Sequence, residues 1–363
     1  MNFRCKNTLL GFLILLIGCD MKKSSPSMFT ELDISSYNNE RLLCSDKSTD
    51  VKYIKLSSDA PSDLIGSVSN VNLHNDLLYV FDSRQKKIVA YNLNGKPQKV
   101  LHRVGRGPGE YLSASAWCVG SDDNLVMVDN RSKKAIFYDG GFNFIKEIKL
   151  DYNVEAIEEL TPETYIIALA PYNRDQYKKI QLMCVNKEFA AERVIKEYTE
   201  VDVNYVLGAI KLQKSGDKVF YHRPIDDYIY YIDSNGEISG GYYVNYGGKS
   251  VPPEQRLNID YYVTNEAIAA YTTIVNCVVV NDNHIYGQVF DEMNFNPLHI
   301  DIRNGIYYTS STADFSGKFV GGTDSLLIVA YDGYNLKDDS MQTSNLSENI
   351  GDDDIIIGLH KQK

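Results

Sequence analysis

The chain has 363 residues, of which 44% are hydrophobic and 23% charged, enough for a sizeable globular core. It carries 48 acidic against 37 basic side chains, a formal net charge of −11, and this balance argues against sequence-independent nucleic-acid binding, which needs a basic surface. Tyrosine, with 27 copies against one tryptophan, is typical of strand-rich proteins.

The first element in the chain is a predicted export signal. Residues 8–17 form an uncharged, mostly apolar run, which is shorter than the about 20 residues that a spanning helix needs. The run ends in Leu-Ile-Gly-Cys at residues 16–19, which resembles the bacterial lipobox, whose cysteine accepts a diacylglycerol. We therefore expect residues 1–18 to be a lipoprotein signal peptide and Cys19 to be lipidated. The alternative is an ordinary secretory signal with an incidental cysteine.

Residues 19–50 are predicted to be a lipidated tether and lead-in. Residues 20–27 are polar and show no apolar periodicity. No later apolar run is long enough to span a bilayer, so we expect the rest of the chain to lie outside it. Several acyl chains on Cys19 would make a stable anchor, where a single chain is marginal.

An internal repeat begins after the lead-in, where alternating apolar and polar residues predict strands. Residues 77–92 and 124–139 match without a gap at an offset of 47 residues. In both, an apolar strand ends in Asp, and an Arg, two Lys and a Tyr coincide in the following residues. Agreement of this length is strong evidence for a repeated structural unit.

Weaker copies continue to the end of the chain. Further strand-like runs lie at 164–169, 218–222, 284–290 and 325–331, each preceded by another apolar run. Asn-Gly pairs between strand-like runs in two of these copies predict hairpin turns. Six units of about four antiparallel strands, at a spacing near 50 residues, predict an all-β, six-bladed β-propeller over residues 51–363.

The two ends of the predicted propeller complement each other. The last unit ends one strand short after residues 355–359, whereas residues 51–56 form a strand with no blade of their own. We expect this N-terminal strand to complete the last blade and close the ring, because an open edge invites pairing with other chains. Between the last strands, residues 332–354 are polar and are predicted to form a mobile loop.

The first repeat resembles the NHL repeat of six-bladed propellers, in which a strand ending in Asp precedes a basic, an aliphatic and an aromatic residue. The residues at those places are Asp82, Lys87, Ile88 and Tyr91. Residues 104–111, Val-Gly-Arg-Gly-Pro-Gly-Glu-Tyr, look like that family's glycine-rich connector. With the lipobox, this pattern is similar to the six-bladed propeller lipoproteins of Bacteroides and its relatives. The resemblance is specific over residues 77–139 and implies a fold and an envelope location, but no reaction.

Four residues are candidate ligand contacts. Arg84 and Arg131 occupy matching positions in loops that we expect at the same end of the ring. They could form a paired basic contact for an anionic or carbonyl-bearing ligand, or could bond to an Asp or the backbone of a neighbouring blade. His222 and Arg223 fall near the equivalent loop of the fourth blade and add to the first interpretation.

No motif predicts a catalytic residue, a metal site or a cofactor. Gly105 to Gly109 lacks the Lys-Ser/Thr of a phosphate loop and is predicted to be a turn between blades. Residues 352–354, three aspartates, lack the Gly and distal Glu of a calcium loop. The six histidines show no close pairs, although ligands from separate blades could still meet.

The cysteines after the anchor lie far apart and contain no Cys-x-x-Cys pair. Cys118, Cys184 and Cys277 lie in apolar strand-like runs, so we expect buried free thiols. An oxidising compartment would permit disulfides, including one to Cys44, and the spacing alone does not assign them.

These features predict a lipid-anchored protein of the cell envelope, on the outer membrane, that acts as a binding propeller without a defined catalytic activity. Its expected partners are the membrane, through the anchor, and a glycan, a peptide or another envelope protein. The tether lacks an acidic cluster of the kind that marks surface export in some Bacteroidetes lipoproteins, which favours the periplasmic side. The alternative is an NHL-like lyase or lactonase with a divalent metal in the central channel. For that enzyme, His or acidic side chains from three or more blades should converge on the axis.

Overall fold

The computed structural model describes residues 28–41, 50–198, 212–256, 267–310, 315–338 and 350–362. The predicted signal peptide, the lipobox with Cys19, and Cys44 lie outside the described residues.

Six sheets are arranged as the blades of a β-propeller, and the first strands of the blades meet around a central axis. Three N-terminal strands precede the first complete blade: β1 (Phe29–Asp33), β2 (Asn38–Arg41) and β3 (Asp50–Lys55). Blades one and two comprise β4 (Asn70–His74), β5 (Leu77–Asp82), β6 (Lys87–Asn92), β7 (Pro97–Leu101), β8 (Ala116–Val119), β9 (Leu125–Asp129), β10 (Lys134–Tyr138) and β11 (Phe144–Lys149). Blades three and four comprise β12 (Val154–Thr161), β13 (Thr164–Leu169), β14 (Ile180–Asn186), β15 (Ala191–Glu197), β16 (Leu212–Ser215), β17 (Lys218–His222), β18 (Tyr228–Ile232) and β19 (Ile238–Asn245). Blades five and six comprise β20 (Thr273–Val280), β21 (His284–Asp291), β22 (Asn294–Asp301), β23 (Ile306–Thr309), β24 (Lys318–Gly322), β25 (Leu326–Asp332) and β26 (Ile355–Lys361).

The predicted all-β, six-bladed propeller is therefore confirmed. The four strands that make up each blade are antiparallel to their neighbours. The Asn-Gly pairs at 235–236 and 304–305 form turns, with Gly236 and Gly305 at positive φ. Apolar clusters fill the spaces between neighbouring blades, so that each sheet buries both of its faces. Short helices occur at α1 (Pro253–Arg256) and α2 (Gly333–Asp338).

The residues that coincide in the repeat attach each connector to the blade that follows it. The hydroxyl of Tyr91 donates to the carbonyl of Asp63 at 3.0 Å, and that of Tyr138 donates to the carbonyl of Gly109 at 2.9 Å. Gly109 has φ of +69° at the turn between blades one and two, so the glycine-rich segment is the predicted blade-to-blade turn.

The N-terminal strand closes the ring, as predicted. Strand β3 pairs antiparallel with β26 and forms the outer edge of blade six. Ile54, which is 3% exposed, packs in the cluster between blades six and one, beside Ile357 and Val71. The first and last strands of the propeller are thus held in one sheet, which removes an open edge.

The lead-in segment contains two strands that the sequence analysis does not predict. Strand β1 pairs parallel with β19, and β2 pairs parallel with β23, so each becomes a fifth, outermost strand. Leu32 in β1 is fully buried. A Cβ on Gly241 of β19 would lie 2.0 Å from the carbonyl oxygen of Ile229 in β18 and 3.0 Å from the Phe29 ring in β1, so glycine is needed where β19 lies between these two strands. Strands β1, β2 and β3 therefore lie on the outer edges of blades four, five and six in turn.

Two further expectations concern single segments. Cys118, Cys184 and Cys277 are buried free thiols, as predicted. Residues 339–349 of the predicted mobile loop lie outside the described residues. Its first residues form the end of β25 and α2, whose Leu336 is 1% exposed and packs in the apolar cluster between blades five and six. No helix in the described ranges is long and apolar enough to cross a bilayer.

Candidate functional site

The ring axis contains a cavity of about 680 Å³, lined by the first strands of blades one, two, three, four and six. Pockets for small ligands measure about 300–1,000 Å³. Each of these strands is the terminal strand of its sheet, so one row of its backbone N–H and C=O groups faces the axis without a strand to pair with. The wall is therefore polar even where its side chains are small.

The side chains that line the cavity are a mixture of carboxamides and hydroxyls, charged groups and apolar residues, and the apolar ones include Phe81 and Trp117. Trp117, the only tryptophan in the chain, is half-buried there and packs against Phe81 at a centroid distance of 6.0 Å. The polar uncharged lining residues are Ser69, Asn70, Asn72, Ser83, Ser115, Ser121, Gln213 and Thr323. This mixture can donate and accept several hydrogen bonds beside one flat apolar surface.

The carboxylates of the cavity come from a single strand, β12. Burial raises the pKa of Glu158 to about 7, although the backbone N–H of Glu159 and the nearby Lys214 oppose the shift. Glu159 accepts the backbone N–H of Ser121 at 2.7 Å, and Lys187 lies 3.6 Å from its other oxygen. These carboxylates are therefore part of a buried network of acids and lysines.

The channel-metal alternative requires His or acidic side chains from three or more blades to converge on the axis, and the described side chains do not converge in this way. Over the part of the chain that the structure describes, no three His, Cys, Asp or Glu side chains are grouped so that they could hold a metal ion. His74 also lines the cavity, but its Nε2 lies 2.8 Å from Asp123 on the neighbouring turn.

Blade five is screened from the cavity by a side chain of blade four. The Gln213 amide donates to the carbonyl of Val279 at 2.9 Å, and its oxygen accepts the Val279 N–H at 2.8 Å. Gly322 permits this crossing, because a Cβ there would lie 2.4 Å from Val278 and 3.4 Å from Gln213. In the other five blades the first strand faces the cavity directly. At blade five the Gln213 side chain lies between the first strand and the cavity.

Arg84 and Arg131 lie at the same end of the ring, each in the turn between the second and third strands of its blade. This is the end at which the connectors join the blades, and we call it the connector end. The backbone N–H groups of these arginines are held by Asp82 at 3.0 Å and Asp129 at 2.9 Å, and both side chains are exposed. Among the described residues, no carboxylate lies within ion-pair distance of either guanidinium, so neither shows the predicted alternative of an ion pair with a neighbouring blade.

A third basic residue at the connector end, Lys318, is not predicted by the sequence analysis. It begins the first strand of blade six, and its Nζ donates to the carbonyl of Val68 at 2.8 Å. Burial and the nearby Arg84 lower the pKa of Lys318, against the opposing effect of Asp332. Ser69 and Ser83, whose hydroxyls are 2.7 Å apart, hold the two segments together. We call Lys318, Arg84 and Arg131, on blades six, one and two, the basic arc.

His222 and Arg223 are placed differently from the exposed arginines. Both are 3% exposed, at the end of β17, and burial lowers the pKa of His222 to about 4. The Arg223 guanidinium lies over the ring of Tyr198 at 4.8 Å. This packing favours a structural role within blade four, and a ligand contact by either residue stays a prediction.

Comparison with known proteins identifies relatives of this fold. A family model described as Domain of unknown function (DUF4934) matches residues 29–350. The structure of a candidate exported protein from Bacteroides fragilis NCTC 9343 superposes with a TM-score of 0.76 at 17% identity, covering 92% of this chain and 100% of that one. A DUF4221 family member from Bacteroides vulgatus ATCC 8482 has a TM-score of 0.58 at 9% identity, covering 86% and 98%. No curated protein sequence matches the chain. At these identities the likeness shows the fold alone, and it agrees with the resemblance to Bacteroides propellers.

Proposed function

The chain belongs to the DUF4934 family, and we propose that it is a lipid-anchored protein of the cell envelope whose central channel binds a saccharide. The observation that carries the proposal is the axial cavity of about 680 Å³, lined by five blades and containing the only tryptophan. The recess is too small to admit a folded domain, and its size suits a short oligomer.

The chemistry of the lining favours a saccharide. Sugar hydroxyl groups both donate and accept hydrogen bonds, as do the amides of Asn70 and Asn72 and the strand edges beside them. The C–H face of a sugar ring packs on a flat aromatic side chain, and Trp117 supplies one inside the cavity. Apolar residues such as Val71 and Ile157 also line the wall, and the combination of Trp117 with groups that both donate and accept hydrogen bonds suits the apolar face and the hydroxyl groups of a sugar ring.

The proposed anchor leaves the cavity free. Strand β1 begins ten residues after Cys19 and lies on the outermost edge of blade four, away from the axis. A lipid on Cys19 would therefore hold the ring by its rim and not obstruct the channel. The candidate exported relative supports an envelope location, and we place the anchor in the outer membrane.

The channel can be tested through its own chromophore. Because Trp117 is the only tryptophan, its emission reports on occupancy of the cavity. We expect oligosaccharides from a panel to change the emission in a saturable way and short peptides to leave it unchanged. Trp117→Phe abolishes the signal, and calorimetry on that variant should show weakened binding. Saturable binding of peptides but of no saccharide would overturn the proposal.

The anchor is tested separately in cells. Wild-type protein should incorporate labelled palmitate and fractionate with the outer membrane, and Cys19→Ala should do neither. Labelling that persists in Cys19→Ala would contradict the assignment of the lipobox.

A further inference from the structure

We propose that the saccharide bound in the channel is acidic, and that its carboxylate or sulfate group lies against the basic arc of Lys318, Arg84 and Arg131. This inference rests on the proposed binding of a saccharide in the channel and names the class of that saccharide. It concerns the connector end of the cavity, where Ser69, Ser83 and Lys318 form the wall, and where Arg84 and Arg131 are exposed outside the lining itself.

The first step in the argument is the concentration of like charge. The protein carries a net charge of −11, yet blades six, one and two each place a basic side chain at the same end of the ring. Arg84 follows Ser83, which is hydrogen-bonded to Ser69, and Ser69 adjoins the carbonyl of Val68 to which Lys318 donates. Repulsion between neighbouring cations is unfavourable unless an anion lies between them.

The second step is that the protein supplies little compensation for these charges. In the described ranges no carboxylate pairs with Lys318, Arg84 or Arg131 within 4 Å, and the exposed Asp332 acts on Lys318 only at longer range. The aspartates of the same turns, Asp82 and Asp129, are buried and are occupied by backbone N–H groups. Asp82 and Asp129 therefore do not neutralise the arginine side chains, and a ligand anion could bind to them.

The third step is geometric. Asp82 and Asp129 hold the backbone of the two arginine turns, and the Val68 carbonyl holds the Nζ of Lys318, so the three cations extend from fixed points at one end of the ring. Guanidinium groups bind carboxylate and sulfate oxygens in a two-pronged manner that a neutral hydroxyl cannot match. Across the cavity, Glu155 on blade three lines the wall and would repel an anion. The two sides together give an acidic saccharide one orientation, with its charge toward blades six, one and two.

The experiment compares matched acidic and neutral saccharides on the full lipid-free chain. The probes are trigalacturonate and its methyl ester, sialyllactose and lactose, and a sulfated lactose against the same lactose, each titrated by Trp117 emission. We expect the acidic member of a binding pair to bind at least about tenfold more tightly at low salt, and the difference to shrink as salt screens the charges.

Variants locate the effect on the arc. Arg84→Gln and Arg131→Gln remove exposed guanidinium groups and should each weaken the acidic probe several-fold, without changing the neutral one. The matched control is Lys96→Gln, which removes an exposed charge from a turn at the opposite end of blade one and should leave both affinities unchanged. Circular dichroism and the melting temperature confirm that each variant is folded.

The outcomes separate the two proposals. Equal affinity for the acidic and neutral members, or acidic binding that Arg84→Gln and Arg131→Gln leave intact, would overturn the assignment of an acidic ligand while saccharide binding stands. Failure of every saccharide to change the emission would overturn the proposed function itself. A preference for the carboxylated over the sulfated probes, or the reverse, distinguishes the two anionic groups.

Discussion

The carboxylates of Asp82 and Asp129, 47 residues apart in the chain, hold the same position in consecutive blades and accept the same set of backbone hydrogen bonds. Each is fully buried and joins the connector before its blade to the turn after its second strand. The N–H donors to Asp82 are those of Gly66, Ser67, Arg84 and Gln85, and the donors to Asp129 are those of Leu112, Ser113, Arg131 and Ser132. The repeated aspartate thus positions the arginine that follows it by two residues.

Loss of one of these aspartates should be costly. Asp129→Ala leaves four part-buried N–H groups without their acceptor, and we expect the free energy of unfolding to fall by about 2–4 kcal/mol. Urea denaturation measures the change. Asp217→Ala, at an exposed turn of blade four, is the control and should stay within about 0.5 kcal/mol of wild type. A change of similar size in both variants would contradict the special role of Asp129.

Ring closure by β3 should depend on its inward-facing side chain. Ile54→Ala creates a cavity between blades six and one, and we expect a loss of about 2–5 kcal/mol in the free energy of unfolding. Lys52→Ala, at an exposed position of the same strand, should have little effect. Calorimetric melting of both variants tests this prediction, and an Ile54→Ala protein as stable as wild type would show that β3 contributes little.

Glu158 should make the protein less stable as the pH rises. Its pKa is raised by burial from 4.5 to about 7, so between these values the folded protein holds a proton that the unfolded chain has released. The resulting stabilisation is complete below pH 4.5 and is lost as the pH rises to about 7. Glu158→Gln cannot ionise, so we expect it to be more stable than wild type by about 3 kcal/mol at pH 8, with the gain shrinking toward pH 4.5. Chemical denaturation over this range tests the sign, with the exposed Glu163→Gln as control.

His360 should act in the opposite direction. Burial lowers the pKa of His360 from 6.5 to about 4, and its Nε2 lies 2.8 Å from the hydroxyl of Tyr331. Between pH 6.5 and pH 4 the unfolded chain binds a proton that the folded protein does not. The stability from the neutral ring is therefore present above pH 6.5 and falls by about 3 kcal/mol as the pH drops to 4. His360→Gln should show a weaker pH dependence in this window, and the exposed His102→Gln should not differ from wild type.

Chelation distinguishes the binding propeller from the metal-dependent enzyme. We expect the purified chain to keep its melting temperature after treatment with EDTA, and mass spectrometry to find no stoichiometric divalent metal. A bound metal whose removal lowers the melting temperature would favour the lyase or lactonase alternative, since metal that binds only the folded state stabilises it.

Much of the architecture follows from local sequence. The offset of 47 residues, the strand-like runs and the Asn-Gly turns are short-range signals, and they predict the blades, their number and the strand that closes the ring. The two strands β1 and β2 are not predicted, because each pairs with a strand that is distant in the chain, and β1 buries only Leu32 and so shows no alternating apolar pattern.

The candidate site is less accessible from sequence. Arg84 and Arg131 are found because the repeat aligns them, but His222 and Arg223 share only their approximate position and prove to be buried. Lys318 does not align with a basic residue of the repeat. Only the closed ring places it beside blade one, where its Nζ bonds to the carbonyl of Val68.

The sequence by itself determined the repeating unit and the fold class, and it predicts the export signal, since each depends on residues that are close together along the chain. Only the tertiary structure decided which side chains meet at the axis. Lys318 bonds to Val68 across 250 residues, and Gln213 spans 66 residues to Val279. The physical reason is that a closed ring brings the first strand of every blade to one axis, so the cavity is composed of residues whose separation along the chain conveys nothing about their proximity.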